Sequence, residues 1–160
     1  MGDISTNFSM SELCVSQTAI RQGRAIVPDK NERNYLIMLV RSVLQPVREL
    51  VGRPVVITSG LRPPWLNTMI NGSKTSQHMK GQAVDFVVPG MHPLNVCHKI
   101  KQSDIKFDQL ICEFNEWVHI SYFPALSMRN EILTARSMDG TTIYENGLDA
   151  KTPANINTLS

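Results

Sequence analysis

Two histidines, an aspartate and a glutamate have the types and spacing that metal-assisted hydrolysis requires. His78 and Asp85 lie at either end of a short turn that leads into a predicted strand, and Glu116 and His119 lie together further along the chain. Two imidazoles and one carboxylate can bind zinc, which in catalytic sites keeps an open position for water. Glu116 is then a spare acid that can transfer a proton. The pattern predicts a hydrolytic zinc site with His78, Asp85 and His119 as ligands.

The spacing of His78 and Asp85 is not specific by itself, because many unrelated sequences share it. Three further features favour a site. Asp85 occurs in a strand that otherwise has the composition of a core, and a buried carboxylate without a partner is unfavourable. Glu116 is close enough to His119 to contact a water molecule on the same metal. Arg62 follows another predicted strand, where a guanidinium can hold a carboxylate through two hydrogen bonds.

Each of these residues also has an ordinary interpretation. A single histidine is most often a surface residue or a hydrogen-bonded core residue, and Arg62 could be a solvated loop charge. His92 and His98 lie in a predicted helix without acidic neighbours, so we assign them no role in the site. If the metal were absent, His78, Asp85 and His119 would simply be scattered polar residues.

Apolar periodicity predicts the elements that must position these side chains. Apolar residues recur every three or four positions from about 31 to 51, which indicates a core helix, and Pro46 is expected to kink it. Shorter helices are predicted at 64–70 and 92–102, strands at 55–59, 83–88, 106–114 and 117–123, and a hairpin of strands at 130–137 and 141–145. The strands at 106–114 and 117–123 are expected to pair antiparallel.

Length and composition predict one soluble domain over residues 1–160, with a core of about 8–146 and a frayed C-terminal tail. The net charge of +2, without a basic stripe, gives no reason to expect nucleic acid. No apolar run approaches a membrane span, so we expect no membrane insertion. The three cysteines are far apart, and the N-terminus has no features of a secretory signal, so we expect synthesis in the cytoplasm.

The segments around the predicted ligands resemble a known family. The match is carried by residues 57–63, 66–67, 72–86, 107–111 and 116–121, within a region of roughly 8–123. The chain resembles the zinc D-Ala-D-Ala carboxypeptidases, and most closely their short members found as phage and prophage lysis enzymes. The resemblance implies an α+β fold, a small antiparallel sheet flanked by helices, which the family shares with the Hedgehog signalling domain.

The resemblance also implies roles for individual residues. The matching positions imply zinc ligands at His78, Asp85 and His119. Glu116 matches the catalytic acid, Arg62 matches an arginine that polarises the substrate carbonyl or stabilises the oxyanion, and Ser76 matches a residue that contacts substrate. The implied activity is zinc-dependent hydrolysis of an amide bond in the peptidoglycan stem peptide by a monomer. The enzyme would reach the wall after release through a phage-type membrane pore.

Two questions stay open at the level of sequence. The same fold could instead be a non-catalytic module, binding cell wall or building a virion, in which zinc serves as a staple. Structural zinc usually has four protein ligands, so a fourth ligand would favour that alternative. The residues also do not determine which stem-peptide bond is cut, by a carboxypeptidase or by an endopeptidase such as an L-alanyl-D-glutamate peptidase.

Overall fold

The computed structural model describes residues 2–124, 126 and 128–149. The tail predicted to be frayed, residues 150–160, lies outside this part of the chain. Within the described residues, no helix has both the length and the apolar character needed to cross a membrane.

Short helices make up much of the first two thirds of the chain. The α-helices are Met10–Leu13 (α1), Gln17–Arg21 (α2), Lys30–Leu39 (α3), Gln45–Val51 (α4), Pro64–Met69 (α5) and Pro93–Lys101 (α6). A π-helical turn at Val40–Leu44 joins α3 to α4, and a 3-10 helix forms at Gln77–Lys80.

Within the part of the chain that the structure describes, the strands form one six-stranded sheet. They are Val56–Ser59 (β1), Ala83–Val87 (β2), Gln109–Glu113 (β3), Trp117–Ser121 (β4), Glu131–Met138 (β5) and Thr141–Asn146 (β6). The spatial order is β1-β2-β4-β3-β5-β6, in which β3 and β5 run parallel and all other neighbours run antiparallel. The predicted α+β class is confirmed, and the one parallel pair was not expected.

The long predicted helix is present, and its regular geometry is interrupted next to Pro46. Asp29 and Glu32 form a capping box at the start of α3, and Gly52 ends α4 in the left-handed conformation at φ 63°. Pro46 lies in the first turn of α4, directly after the π-helical turn at Val40–Leu44. Because proline has no N–H and its ring clashes with the preceding turn, the helix widens there rather than continuing regularly.

One face of the sheet is packed against the helices and forms the main core. Its strand residues are almost completely buried: Val84, Phe86, Leu110, Cys112, Val118 and Ile120. They pack with helical residues such as Leu36, Leu44, Val47 and Ile100. Successive side chains of a strand point to opposite faces, so the residues between these positions lie on the other face of the sheet.

The opposite face of the sheet carries two of the predicted ligands, Asp85 and His119. In the register of the strands, His119 of β4 lies directly between Asp85 of β2 and Ile111 of β3. Glu113 of β3 lies opposite Trp117 of β4. Since residues directly opposite each other share a face, the sheet brings all five side chains to one surface.

Candidate metal centre and active site

The 3-10 helix that carries His78 is fixed at both ends and turns the imidazole inward. The Ser76 hydroxyl accepts a hydrogen bond from the His78 backbone N–H at 3.3 Å, and Gly81 ends the turn with φ +71°. His78 is 3% exposed, and its Nδ1 lies 2.9 Å from the Gly60 carbonyl oxygen. Because a carbonyl only accepts, Nδ1 donates this bond and Nε2 is left to bind a metal.

The antiparallel pairing of β2 with β4 sets Asp85 against His119. His119 Nδ1 lies 2.9 Å from Asp85 Oδ1, and His78 Nε2 lies 3.3 Å from the same oxygen. Burial on its own would raise the pKa of Asp85, but the two imidazoles hold that pKa well below its ordinary value. Asp85 is therefore a carboxylate, which is the form that binds a cation.

The three predicted ligands fit a zinc ion. The candidate ligand atoms of His78, Asp85 and His119 all lie within 4.8 Å of one another, and all three residues are buried. Zinc binds such nitrogen and oxygen atoms at about 2.0–2.2 Å, which puts ligand atoms of a tetrahedral site roughly 3–3.5 Å apart. Within the described part of the chain the cluster has three members. Three protein ligands and an open position are typical of a catalytic zinc site rather than a structural one.

Arg62 lies beside the ligands, as the sequence predicts. Its backbone N–H donates to the His78 carbonyl at 2.9 Å, and its Nη2 lies 4.0 Å from Asp85 Oδ2. Nη1 and Nη2 also donate longer bonds of 3.4 Å to Asn67 Oδ1 and 3.3 Å to Ser59 Oγ. Burial lowers the pKa of Arg62 and the charge of Asp85 opposes that change. The guanidinium thus stays a fixed positive charge next to the metal ligands.

Gly72 leaves the space that this arrangement of Arg62 needs. A Cβ atom on Gly72 would lie 2.0 Å from Asn67 Oδ1 and 3.2 Å from Arg62 Nη1. Asn67 is itself held by a hydrogen bond from its Nδ2 to the Ser73 carbonyl at 2.9 Å. Any larger residue at position 72 would displace Asn67 and, through it, the guanidinium.

The acid that the structure places beside the ligands is Glu113 and not Glu116. Glu116 is exposed on the turn between β3 and β4 and does not line the cleft that contains the ligands. Glu113 lines that cleft, and its Oε1 lies 3.8 Å from His119 Nδ1. Burial, followed by the negative charge of Asp85, raises the pKa of Glu113 to about 7.

The geometry of the hairpin explains why Glu116 is not at the site. Within a strand, residues two apart share a face, so Trp117 and His119 point the same way and Glu116 does not. Glu113 is the cross-strand partner of Trp117, and it therefore lies on the face that carries His119. A signal for Glu113 exists in the sequence, since it is an acidic residue that ends an apolar strand.

The cleft around the ligands has a volume of about 660 Å³. The polar loop 71–77 lines part of it and includes Ser76, the residue predicted to contact substrate. Apolar and aromatic residues of the sheet line it as well: Ile111, Trp117, Leu133 and Tyr144. The lining therefore combines groups that can form hydrogen bonds with groups that can pack against apolar side chains.

An ion pair between the buried Asp108 and the half-exposed Arg129 supports the loop before His78. Asp108 is 1% exposed and accepts hydrogen bonds from Arg129 Nε at 3.1 Å and Nη2 at 2.7 Å. The Gln77 side chain bridges the pair, donating to Asp108 Oδ2 and accepting from Arg129 Nη2, each at 3.1 Å. This network ties the turn that carries His78 to β3 and to the segment before β5.

Replacing Asp108 by asparagine should lower stability by about 2 kcal/mol at neutral pH, the scale of a hydrogen bond to a charged group. Burial would raise the pKa of Asp108, but the hydrogen bonds from Arg129 lower it below its ordinary value. A lowered pKa in the folded state gives stability that is complete above the unfolded pKa of about 3.9 and is lost as pH falls through the folded pKa. Urea unfolding should therefore show the difference between wild type and Asp108→Asn shrinking below about pH 4.

Glu131→Gln is the matched control for this measurement. Glu131 Oε1 lies 3.7 Å from Arg129 Nη1, and both side chains are substantially exposed, so the change should cost less than about 1 kcal/mol. Equal losses for the two variants, or a pH-independent loss for Asp108→Asn, would contradict the role given to the buried carboxylate.

Comparison with known proteins agrees with the geometry of the ligands. Residues 6–121 match the family model described as Peptidase M15, which covers most of the chain. The chain belongs to the M15 peptidase family. The resemblance predicted from the sequence is thereby confirmed, and the chain is a member of a metallopeptidase family whose substrates are peptides. M15 peptidases are typically zinc-dependent, in keeping with the cluster of His78, Asp85 and His119.

No curated protein sequence gives a significant match to the chain. The M15 match ends at residue 121, the last residue of β4. The last two strands, β5 and β6, therefore lie outside the matched region although they complete the sheet.

Proposed function

We propose that this M15 peptidase hydrolyses an amide bond in the stem peptide of bacterial peptidoglycan, with zinc as its cofactor. The observation that carries the proposal is the arrangement in one cleft of a buried three-ligand cluster, a carboxyl group and a guanidinium. A zinc staple in a binding module would need neither Glu113 nor Arg62 and would usually have a fourth protein ligand.

Zinc at the cluster of His78, Asp85 and His119 would supply a Lewis acid that makes water nucleophilic near neutral pH. Glu113 lies 3.8 Å from His119 and faces the same cleft, so its carboxylate can accept the proton of the attacking water. The same carboxyl group then donates that proton to the leaving amine, which is the role expected of Glu116 from the sequence.

Arg62 stabilises the negative charge that develops on the carbonyl oxygen of the substrate. The guanidinium is positioned beforehand by Asn67, Ser59 and Asp85, so little reorganisation is needed as the charge forms. The role of Arg62 does not depend on holding the metal, because its Nη2 lies 4.0 Å from Asp85 Oδ2, beyond hydrogen-bond distance.

Arg62→Ala should lower kcat/KM by about 10²–10³-fold, the cost of losing one oxyanion donor in other hydrolases. Arg62→Lys should recover only part of this loss, because an ammonium keeps the charge without the planar pair of donors. Zinc content, measured by elemental analysis, should stay at the wild-type level in both variants. Loss of zinc from Arg62→Lys would instead indicate that Arg62 acts by holding Asp85.

Peptidoglycan is proposed as the substrate because the ligand segments resemble enzymes that cut the bacterial wall. The cleft suits a short peptide, because polar loop residues and apolar strand residues both line it. As in the phage lysis enzymes that the chain resembles, access to the wall would follow release through a membrane pore. The enzyme is proposed to act as a monomer.

Purified peptidoglycan treated with the zinc-loaded protein tests this function and identifies the bond. We expect soluble fragments, and we expect a chelator to abolish their release and added zinc to restore it. Free alanine among the products would identify a carboxypeptidase, whereas a new amino terminus inside the stem would identify an endopeptidase. Stem peptides that are all uncut after digestion by zinc-loaded protein, with no free alanine and no new amino terminus, would overturn the proposal.

A further inference from the structure

The part of the chain that follows the M15 match contributes directly to the cleft. The match ends at residue 121, yet Leu133 of β5 and Tyr144 of β6 both line the cleft that contains the metal ligands. Leu133 is 9% exposed and packs with Ile111 in a small apolar cluster, separate from the main core. Tyr144, in contrast, is 55% exposed, so much of its side chain is free to contact a ligand.

The register of the strands places Tyr144 in line with the catalytic acid. Glu113 of β3 lies opposite Ala135 of β5, and Ala135 lies opposite Tyr144 of β6. On its other side, Glu113 lies opposite Trp117. Because directly paired residues share a face, Trp117, Glu113, Ala135 and Tyr144 form one row across the site face of the sheet.

The small residue between Glu113 and Tyr144 lets the tyrosine approach the acid. Neighbouring strands are about 4.8 Å apart, so the backbones of these two residues are separated by roughly 10 Å. Ala135 fills the position between them with a single methyl group and is 1% exposed. A large side chain in that place would block the approach of the phenol to the metal side of the cleft.

The acidic groups of the site also act on the pKa of the Tyr144 phenol. Partial burial raises the pKa of Tyr144, and the negative charges of Glu113 and Asp85 raise it further. The hydroxyl therefore stays protonated and is available as a hydrogen-bond donor. The two acidic groups that raise this pKa, Glu113 and Asp85, belong to the site itself.

We propose that Tyr144 is a substrate-binding residue that holds the peptide against the metal face, its ring packed on a small apolar side chain and its hydroxyl donating to a peptide carbonyl. Tyr144 and residues of the polar loop 71–77 line the same cleft, so both can contact one bound peptide. This inference rests on the peptidase function proposed above, and it assigns part of the specificity to β6, outside the M15 match.

Two variants of Tyr144 separate the ring from the hydroxyl. Tyr144→Phe removes only the donor and should raise KM by roughly 3–10-fold, the scale of one neutral hydrogen bond. Tyr144→Ala also removes the packing surface and should raise KM by about 10-fold or more, since aromatic contacts add to the loss. In both variants kcat should change by less than KM does, and zinc content should be that of the wild type.

Thr142→Ala is the matched control. Thr142 is exposed on the same strand and, two residues from Tyr144, on the same face, but it does not line the cleft. Its KM for a soluble stem peptide should equal that of wild type, and all three variants should unfold at the wild-type temperature, because neither position belongs to the core.

Binding is measured independently of turnover by titrating the same soluble stem peptide into zinc-loaded Glu113→Gln protein in a calorimeter. Adding Tyr144→Ala to that protein should raise Kd by about the same factor as it raises KM. Unchanged KM and Kd in an active enzyme would overturn the role of Tyr144 and leave the peptidase function standing. A wild-type protein that neither binds nor cuts the stem peptide would overturn both.

Discussion

Glu113→Gln is expected to lower kcat by about 10²–10⁴-fold, the contribution typical of a positioned acid-base group. Glutamine has the size of glutamate but cannot accept the proton of the attacking water. The metal ligands His78, Asp85 and His119 are untouched, so the variant should bind zinc and unfold as the wild type does. Turnover of a soluble stem peptide and elemental analysis of the same preparation measure both quantities.

Glu116→Gln is the control that separates the two acids of the hairpin. Glu116 is exposed on the turn, so this variant should keep wild-type kcat and KM. The pair of variants decides between the sequence motif and the geometry, because the motif assigns the acid to Glu116 and the structure places Glu113 beside His119. An inactive Glu116→Gln together with an active Glu113→Gln would show that the motif is right.

His119→Ala is expected to abolish zinc binding and to reduce turnover to the uncatalysed background. His119 supplies one of three ligands, and the remaining two, His78 and Asp85, form an incomplete site. Because an ion that binds only the folded protein stabilises it, wild type should also gain about 2.7 kcal/mol at free zinc near 100 times Kd, and the variant should not. Elemental analysis and thermal unfolding with and without zinc provide the measurements.

His98→Ala controls for the loss of a histidine as such. His98 lies on α6, where its Nε2 contacts the Asp149 carbonyl oxygen at 2.7 Å, away from the cleft. This variant should keep its zinc and its activity. If His119→Ala retained stoichiometric zinc, the ligand assignment would be wrong.

Much of the architecture could be predicted from local patterns. The apolar periodicity before Gly52 predicts the long helix, and the proline within it marks the irregular turn. The pair Asp139-Gly140 predicts the β5–β6 hairpin, where both residues adopt positive φ values of 51° and 77°. Turn chemistry and helix periodicity are encoded within a few residues, which is why these elements can be read from sequence.

The arrangement of the sheet could not be predicted in the same way. β3 and β5 pair in parallel although no hairpin connects them. The sequence pattern of each strand is compatible with either direction. This pairing is what brings Ala135 and then Tyr144 next to Glu113. The role of the chain beyond residue 121 in the cleft therefore becomes visible only in three dimensions.

The candidate ligands and the candidate acid also differ in how well the sequence predicts them. His78, Asp85 and His119 could be predicted because their residue types are distinctive and their segments resemble a known family. Glu113 and Glu116 are chemically identical, and only the alternation of side chains and the cross-strand register distinguish them. Spacing along the chain selects Glu116, whereas the strand register places Glu113 on the face that carries His119.

The most direct test is digestion of purified peptidoglycan in water labelled with heavy oxygen, followed by mass spectrometry of both the released fragments and the residual wall. Hydrolysis by zinc-loaded wild type should place one labelled oxygen in the newly formed carboxyl group and create one new amine. The zinc-loaded Glu113→Gln protein should give almost none of this product. Absence of labelled product from the wild-type digest, or equal labelling by Glu113→Gln, would contradict a hydrolytic zinc site that uses Glu113 as its acid.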